Sequence, residues 1–90
     1  MEEAIKYYTR AIEREPNNAS AYYNRGNAYY KLEKMEEAIK GYTRAIEINP
    51  NHIGAYYYRG MAYKDQGKIE EAMKDYTRAT ELDPDLDSYF

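Results

Sequence analysis

The residues able to do chemistry in this sequence are few, and most of them recur. His52 is the single histidine, and there is no cysteine, so no second imidazole or thiolate completes a metal site around it. His52 is expected in a turn between helices. Glu2-Glu3, Glu36-Glu37 and Glu70-Glu71 have the composition of a carboxylate pair for acid–base work. Neighbouring residues on a helix point apart, however, and the pair returns at the same place each time, so a solvated first turn is expected. Thr9, Thr43 and Thr77 recur likewise, as do Arg10, Arg44 and Arg78. Glu13, Glu47 and Glu81 lie three residues beyond those arginines, within reach across a helix face. An active site needs a unique constellation, whereas these are repeated ones. No glycine-rich phosphate loop and no nucleophile–base pair is present. The expectation is a chain that is not an enzyme and takes no cofactor and no metal.

The elements that position these residues follow from the period. Displacing the chain by 34 residues aligns MEEAIKYYTRAIEREPN at position 1 with MEEAIKGYTRAIEINPN at position 35 and IEEAMKDYTRATELDPD at position 69, without a gap. Two helical patterns alternate inside each period. One contains Tyr22, Gly26, Tyr29 and Leu32; the other contains Ala38, Tyr42, Ala45 and Ile46, spaced to line one apolar face. The acidic pairs suit the start of the second helix, where the macrodipole favours negative charge. Pro16, Pro50 and Pro84 end it, because a residue before proline avoids helical geometry. Asn17-Asn18 and Asn51-His52 supply turns and N-caps, and Gly67 a C-cap that its counterpart Glu33 occupies without being glycine. Helices are expected near 1–14, 19–32, 35–48, 53–66 and 69–82. Short loops make neighbours antiparallel.

The pattern resembles the tetratricopeptide repeat across essentially the whole chain. The family's characteristic places hold Tyr22, Arg25-Gly26, Tyr29, Ala38, Tyr42, Ala45 and Pro50, then Tyr56, Arg59-Gly60, Tyr63, Ala72, Tyr76, Ala79 and Pro84. The opening segment supplies Ala4, Tyr8, Ala11 and Pro16. The resemblance implies an all-α, right-handed superhelical solenoid of antiparallel hairpins. Calling the first and second helix of a unit A and B, the order is B-A-B-A-B plus a C-terminal stub. Residues 1–90 then form one repeat domain: a half repeat at 1–18, full repeats at 19–52 and 53–86, and a stub at 87–90. Glycine inside a helix costs about 1 kcal/mol against alanine, so Gly26 and Gly60 point to close helix approach. Arg25 and Arg59 replace the family's usual leucine and are expected to lay their stems over apolar surface, with the guanidinium at the edge.

The resemblance also implies a concave groove lined by the A helices. Carried onto this chain, its residues are Tyr23, Asn24, Asn27, Tyr30 and Lys31, then Tyr57, Tyr58, Met61, Lys64 and Asp65, with Ser20 and Gly54 beside them. Tyrosine suits recognition, giving large rigid area, and it equally packs helices together. Some members grip a C-terminal carboxylate with a basic and amide clamp. Here the matching places hold Tyr23, Asn27 and Tyr58, and the two further basic positions fall on Ser88 and past Phe90, so only Asn27 fits and no such clamp is expected. An extended or helical segment held by apolar contacts and hydrogen bonds is the expected protein or peptide ligand.

Composition narrows the partners. Thirteen Tyr, one Phe and no Trp make the aromatic content phenolic, and a net charge of −3 lacks the basic stripe that nucleic acid requires. No apolar stretch approaches the roughly 20 residues of a membrane span, and no signal-peptide pattern opens the chain, which makes cytoplasmic the default. A second reading is a self-assembling unit, an engineered or excised fragment whose uncapped ends stack into homo-oligomers or a continuous superhelix. Ile69, Met73, Tyr76, Leu86, Tyr89 and Phe90 would form that contact.

Overall fold

The computed structural model describes residues 1–89, with side chains through Leu86. Five α-helices follow one another: α1 (Glu2–Arg14), α2 (Ala19–Lys31), α3 (Met35–Ile48), α4 (Ile53–Asp65) and α5 (Ile69–Leu82). A 3₁₀ segment, Pro84–Tyr89, closes the described chain. No strand occurs among the described residues, and the extents are 35 × 24 × 18 Å. Each helix packs on the next in sequence, as in an all-α helical-repeat solenoid.

The local stops and starts have repeating causes. Asn18 Oδ1 accepts the Ala21 N–H at 3.1 Å and caps α2; His52 Nδ1 accepts the Ala55 N–H at 3.1 Å and caps α4 in the same place. Glu15, Asn49 and Asp83, each preceding a proline, are extended and end α1, α3 and α5. The A helices end differently. Glu33 and Gly67 adopt φ of 61° and 79°, and the next N–H turns back to the helix: Lys34 to the Tyr29 carbonyl at 2.9 Å, Lys68 to that of Tyr63 at 2.8 Å. This is a Schellman closure, with glycine at one of its two occurrences.

The core is built from small residues and one large one. Ala38, Ala45, Ala55, Ala62 and Ala79 are wholly buried, and Tyr42 is the large side chain enclosed with them. The close approach expected at the mid-helix glycines is present. A Cβ on Gly26 would lie 2.9 Å from Tyr42 Cε1, and one on Gly60 would lie 2.9 Å from Tyr76 Cε1. A third approach, at Gly41, is closer to backbone: a Cβ there would lie 2.9 Å from the Tyr22 carbonyl and 3.1 Å from Gly26 Cα.

Arg59 differs from its expected place. Its guanidinium is inside, donating from Nε to Asp75 Oδ2 at 2.8 Å, from Nη2 to Oδ1 at 2.7 Å and from Nη1 to Thr43 Oγ1 at 3.2 Å. Burial alone would lower the Arg59 pKa, but Asp75 outweighs it and holds the group above its ordinary value. Arg25 has no such carboxylate, since Gly41 occupies the matching position; its Nη1 donates to Thr9 Oγ1 at 3.1 Å. Both arginines stack on tyrosine, Arg25 on Tyr22 at 5.6 Å and Arg59 on Tyr56 at 5.8 Å. Arg44 and Arg78 approach the same two rings, and each pairs with its Glu three residues on, at 3.4 Å and 3.5 Å.

Candidate functional site

The helical period places successive aromatic residues of α2 and α4 on a shared face. Tyr23 and Tyr30, seven residues apart on α2, both meet Tyr58 of α4, with ring centroids at 6.1 Å and 6.5 Å. Tyr42 of α3 lies beneath, stacked on Tyr58 at 6.4 Å and tilted against Tyr23 at 5.9 Å. The His52 ring covers Tyr23 at 4.6 Å. Gly54 allows this arrangement, because a Cβ there would lie 2.8 Å from the Tyr23 hydroxyl oxygen.

Polar groups fix the cluster. The buried Tyr42 hydroxyl donates to Asn27 Oδ1 at 2.6 Å, and the Tyr30 hydroxyl donates to Asp65 Oδ2 at 2.9 Å, linking the two A helices. Burial raises the Tyr42 phenol well above its usual range. Burial and the Asp65 carboxylate push Tyr30 up to about 12. Burial raises Tyr23 as well, with Asn27 pulling the other way. These phenols are therefore neutral at ordinary pH, and the face presents uncharged rings flanked by Asp65, Lys31 and Lys64.

The groove residues inferred from sequence thus divide by role. Tyr23, Tyr30, Tyr58, Asn27 and Asp65 are joined in one network that also holds the hairpins together. Tyr57 meets Tyr58 edge-on at 5.3 Å and opens into an apolar cavity of about 410 Å³, lined also by Ile53, Gly54 and Leu86. Asn24, Asn27 and Lys31 line a smaller cavity of about 210 Å³ shared with Met1, Ala4 and Tyr8 of α1. Met61 is half-buried and Lys64 exposed on α4. Sequence reasoning missed Ile53 and gave Leu86 to the end contact rather than to this cavity. The signal was in the period: Leu86 stands 34 residues after His52, and Tyr57 stands 34 after Tyr23, the residue His52 covers.

The residues assigned to self-association also divide. Ile69 and Met73 are exposed, at 52% and 61%, one turn apart on α5. Tyr76 faces inward instead: it packs on Tyr57 at 5.9 Å and fills the space over Gly60, the role Tyr42 has over Gly26. Leu86 is half-buried beside Tyr57. The Tyr89 side chain and Phe90 lie outside the described residues.

Among the described residues, no group of three His, Asp or Glu is placed to hold a metal ion. No described helix is long and apolar enough to cross a membrane.

An open stack of antiparallel hairpins, with a polar-edged aromatic face on its A helices, is a helical-repeat scaffold. The chain belongs to the tetratricopeptide repeat family: the family model described as "Tetratricopeptide repeat" matches residues 19–52 and 53–86, and a second, "TPR repeat", matches residues 1–33. No relative among the curated proteins matches it. Among solved structures it is similar to the second TPR of Spaghetti (RPAP3) bound to HSP90 peptide SRMEEVD, at 39% identity and TM-score 0.89, over 91% of this chain and 76% of that one. The first TPR of the same protein, bound to the same peptide, is 38% identical with TM-score 0.91, over 92% of this chain and 66% of that one. MamA is 34% identical with TM-score 0.86, over 94% of this chain and 50% of that one. The chain therefore spans between half and about three quarters of the length of these structures.

Proposed function

We propose that this chain is a protein-interaction module that takes a peptide or helical segment against the shared face of α2 and α4. The observation that carries the reading is the Tyr23–Tyr30–Tyr58 cluster with its polar edge of Asn24, Asn27, Lys31, Lys64 and Asp65. Rigid rings offer large contact area at little entropic cost, and the amides and charges around them supply direction. The two similar structures that hold a peptide, both TPRs of Spaghetti, support the same use of the fold. Their HSP90 peptide is not carried over as the ligand, because Tyr23 and Tyr58 stand where a carboxylate clamp has basic or amide groups. Tyr57 extends the contact toward the apolar cavity. Catalysis is no part of this reading.

The test is selection of binding sequences from a random peptide display library, followed by Tyr57→Ala and Asn24→Ala. Both residues reach the face without belonging to the Asn27–Tyr42 bond that holds the core. Weakening of the selected peptides by tenfold or more, with the helical fold retained by circular dichroism, supports the reading. Selected peptides indifferent to both substitutions overturn it.

Self-association is a second reading, favoured by the exposure of Ile69 and Met73 on α5. The informative substitution is Met73→Glu, since Tyr76 is committed to internal packing. A concentration-dependent mass that Met73→Glu abolishes would support it.

A further inference from the structure

Arg25 and Arg59 are held alike but are not equally satisfied. On Arg59 the Asp75 carboxylate accepts from Nε and Nη2, and Thr43 of the preceding B helix accepts from Nη1 at 3.2 Å. On Arg25 the same Nη1 donates to Thr9, the matching threonine of α1, at 3.1 Å. Tyr22 lies against Arg25 as Tyr56 lies against Arg59, at 5.6 Å and 5.8 Å. The difference comes from α3. Gly41 stands where α5 has Asp75, and among the described residues no carboxylate comes within ion-pair distance of Arg25. Its Nε and Nη2 donors meet no protein acceptor among those residues.

Gly41 also keeps α3 close to α2. A Cβ there would stand 2.9 Å from the Tyr22 carbonyl and 3.1 Å from Gly26 Cα, so this position does not supply a side-chain acid. A counter-ion for Arg25 has to come from outside the chain. A half-buried guanidinium without one has lost part of its hydration and recovered little for it. An incoming carboxylate would restore what Asp75 gives Arg59, two parallel charge-assisted bonds on one planar fork. A second cation strengthens the field. Arg44 approaches the Tyr22 ring at 5.7 Å, and its partner Glu47 is exposed and 3.4 Å away. This unit sets two guanidiniums against one loosely held acid, whereas the next sets Arg59 and Arg78 against Asp75 and Glu81.

We propose that Arg25, backed by Arg44, binds an exogenous carboxylate, seated on the guanidinium fork as Asp75 is on Arg59. The carboxylate belongs to an acidic side chain of a partner protein or to a small organic acid. Arg25 is two residues from Tyr23 on α2, roughly 160° around the helix axis at about 100° per residue. The site therefore lies on the side of α2 away from the tyrosine cluster, and it does not depend on what that cluster binds.

The test follows the arginine Nε–H signals of the isotopically labelled chain by NMR during titration with sodium propionate, against sodium chloride at equal ionic strength. The Arg25 signal should move toward that of Arg59, which already carries its carboxylate, with half-saturation at about 10 mM, the strength of one charge-assisted fork. The Arg59 signal should stay in place. Arg25→Lys keeps the charge and loses the fork. Read on the Thr9 and Gly41 amides, it should weaken binding tenfold or more, and Arg44→Gln should weaken it severalfold, with the helical fold of both checked by circular dichroism. Tyr57→Ala should leave the titration unchanged, whereas it weakens any ligand of the α2–α4 face. N-acetylglutamic acid α-amide binding at least as tightly as propionate identifies a protein side chain as the source; weaker binding identifies a free acid. The proposal is overturned by no saturation at about 100 mM propionate. It is equally overturned by the same response to chloride, or by undiminished binding to a folded Arg25→Lys chain.

Discussion

The Arg59 guanidinium grips the Asp75 carboxylate with two parallel hydrogen bonds, 2.8 Å and 2.7 Å long, at the position where the preceding unit sets Arg25 against Gly41. The side chains are 18% and 6% exposed, so this is a nearly dry ion pair in a molecule with few enclosed residues. Removing one partner strands the other charge. Asp75→Ala should cost about 3 kcal/mol, a large part of the stability of a domain this small, measured by urea unfolding. Asp75→Ala that unfolds like the parent would contradict this. The second unit's pair cannot simply be copied into the first: Gly41→Asp should destabilise as well, because its Cβ meets the Tyr22 carbonyl at 2.9 Å.

The two A-helix ends offer an internal comparison. Glu33 and Gly67 occupy the same left-handed position, with φ of 61° and 79°. A side chain is strained there and glycine is not. Glu33→Gly should raise stability by about 0.5–1 kcal/mol, and Gly67→Ala should lower it by a similar amount, both read from melting temperature.

Close approach at Gly60 sets a third expectation. Alanine gains about 1 kcal/mol of helix propensity over glycine, but its Cβ would press on Tyr76 Cε1 at 2.9 Å and the Ala72 carbonyl at 3.2 Å. Neither neighbour is a flexible tip. Overpacking should win, and Gly60→Ala should lower stability by about 1 kcal/mol in chemical denaturation.

His52 makes stability depend on pH. Its Nδ1 accepts the Ala55 N–H, which requires an unprotonated nitrogen, and burial lowers its pKa below the ordinary 6.5. A group whose folded pKa is depressed in this direction binds its proton more readily when unfolded. Its contribution is present above the unfolded value of 6.5 and is lost as pH falls through the folded one. Melting temperature should drop on going from about pH 7.5 to about pH 5. His52→Asn, which reproduces the cap Asn18 already makes, should flatten that part of the profile.

The period made most of this architecture readable, because local signals and tertiary packing agree in it. Pro16, Pro50 and Pro84 marked helix ends, Asn18 and His52 marked starts, and Gly26 and Gly60 marked helix crossings, each from its own backbone chemistry. What escaped was the pairing of residues that break the repeat. Asp75 was visible as a departure from Gly41, but nothing in one dimension says that its carboxylate turns toward Arg59 rather than water. Tyr76 was assigned to an open end, and it packs on Tyr57 and over Gly60. Gly60 was read as a helix crossing, but not that the Tyr76 ring is what lies over it. On the proposed binding face, the family resemblance pointed to Tyr23, Tyr30 and Tyr58, but not that they would meet one another, since ring contacts depend on rotamers set by three helices at once.

The Tyr30 hydroxyl and the Asp65 carboxylate come from different hairpins and meet at the solvent edge. Such a bond acts as a latch between the hairpins, tying α2 to α4 while it is closed. Water competes for it continually, unlike the phenol of Tyr42 sealed below. Part of the hold between the two hairpins is therefore kept in an exchangeable fastening, where acid, salt or an incoming amine has direct access to it.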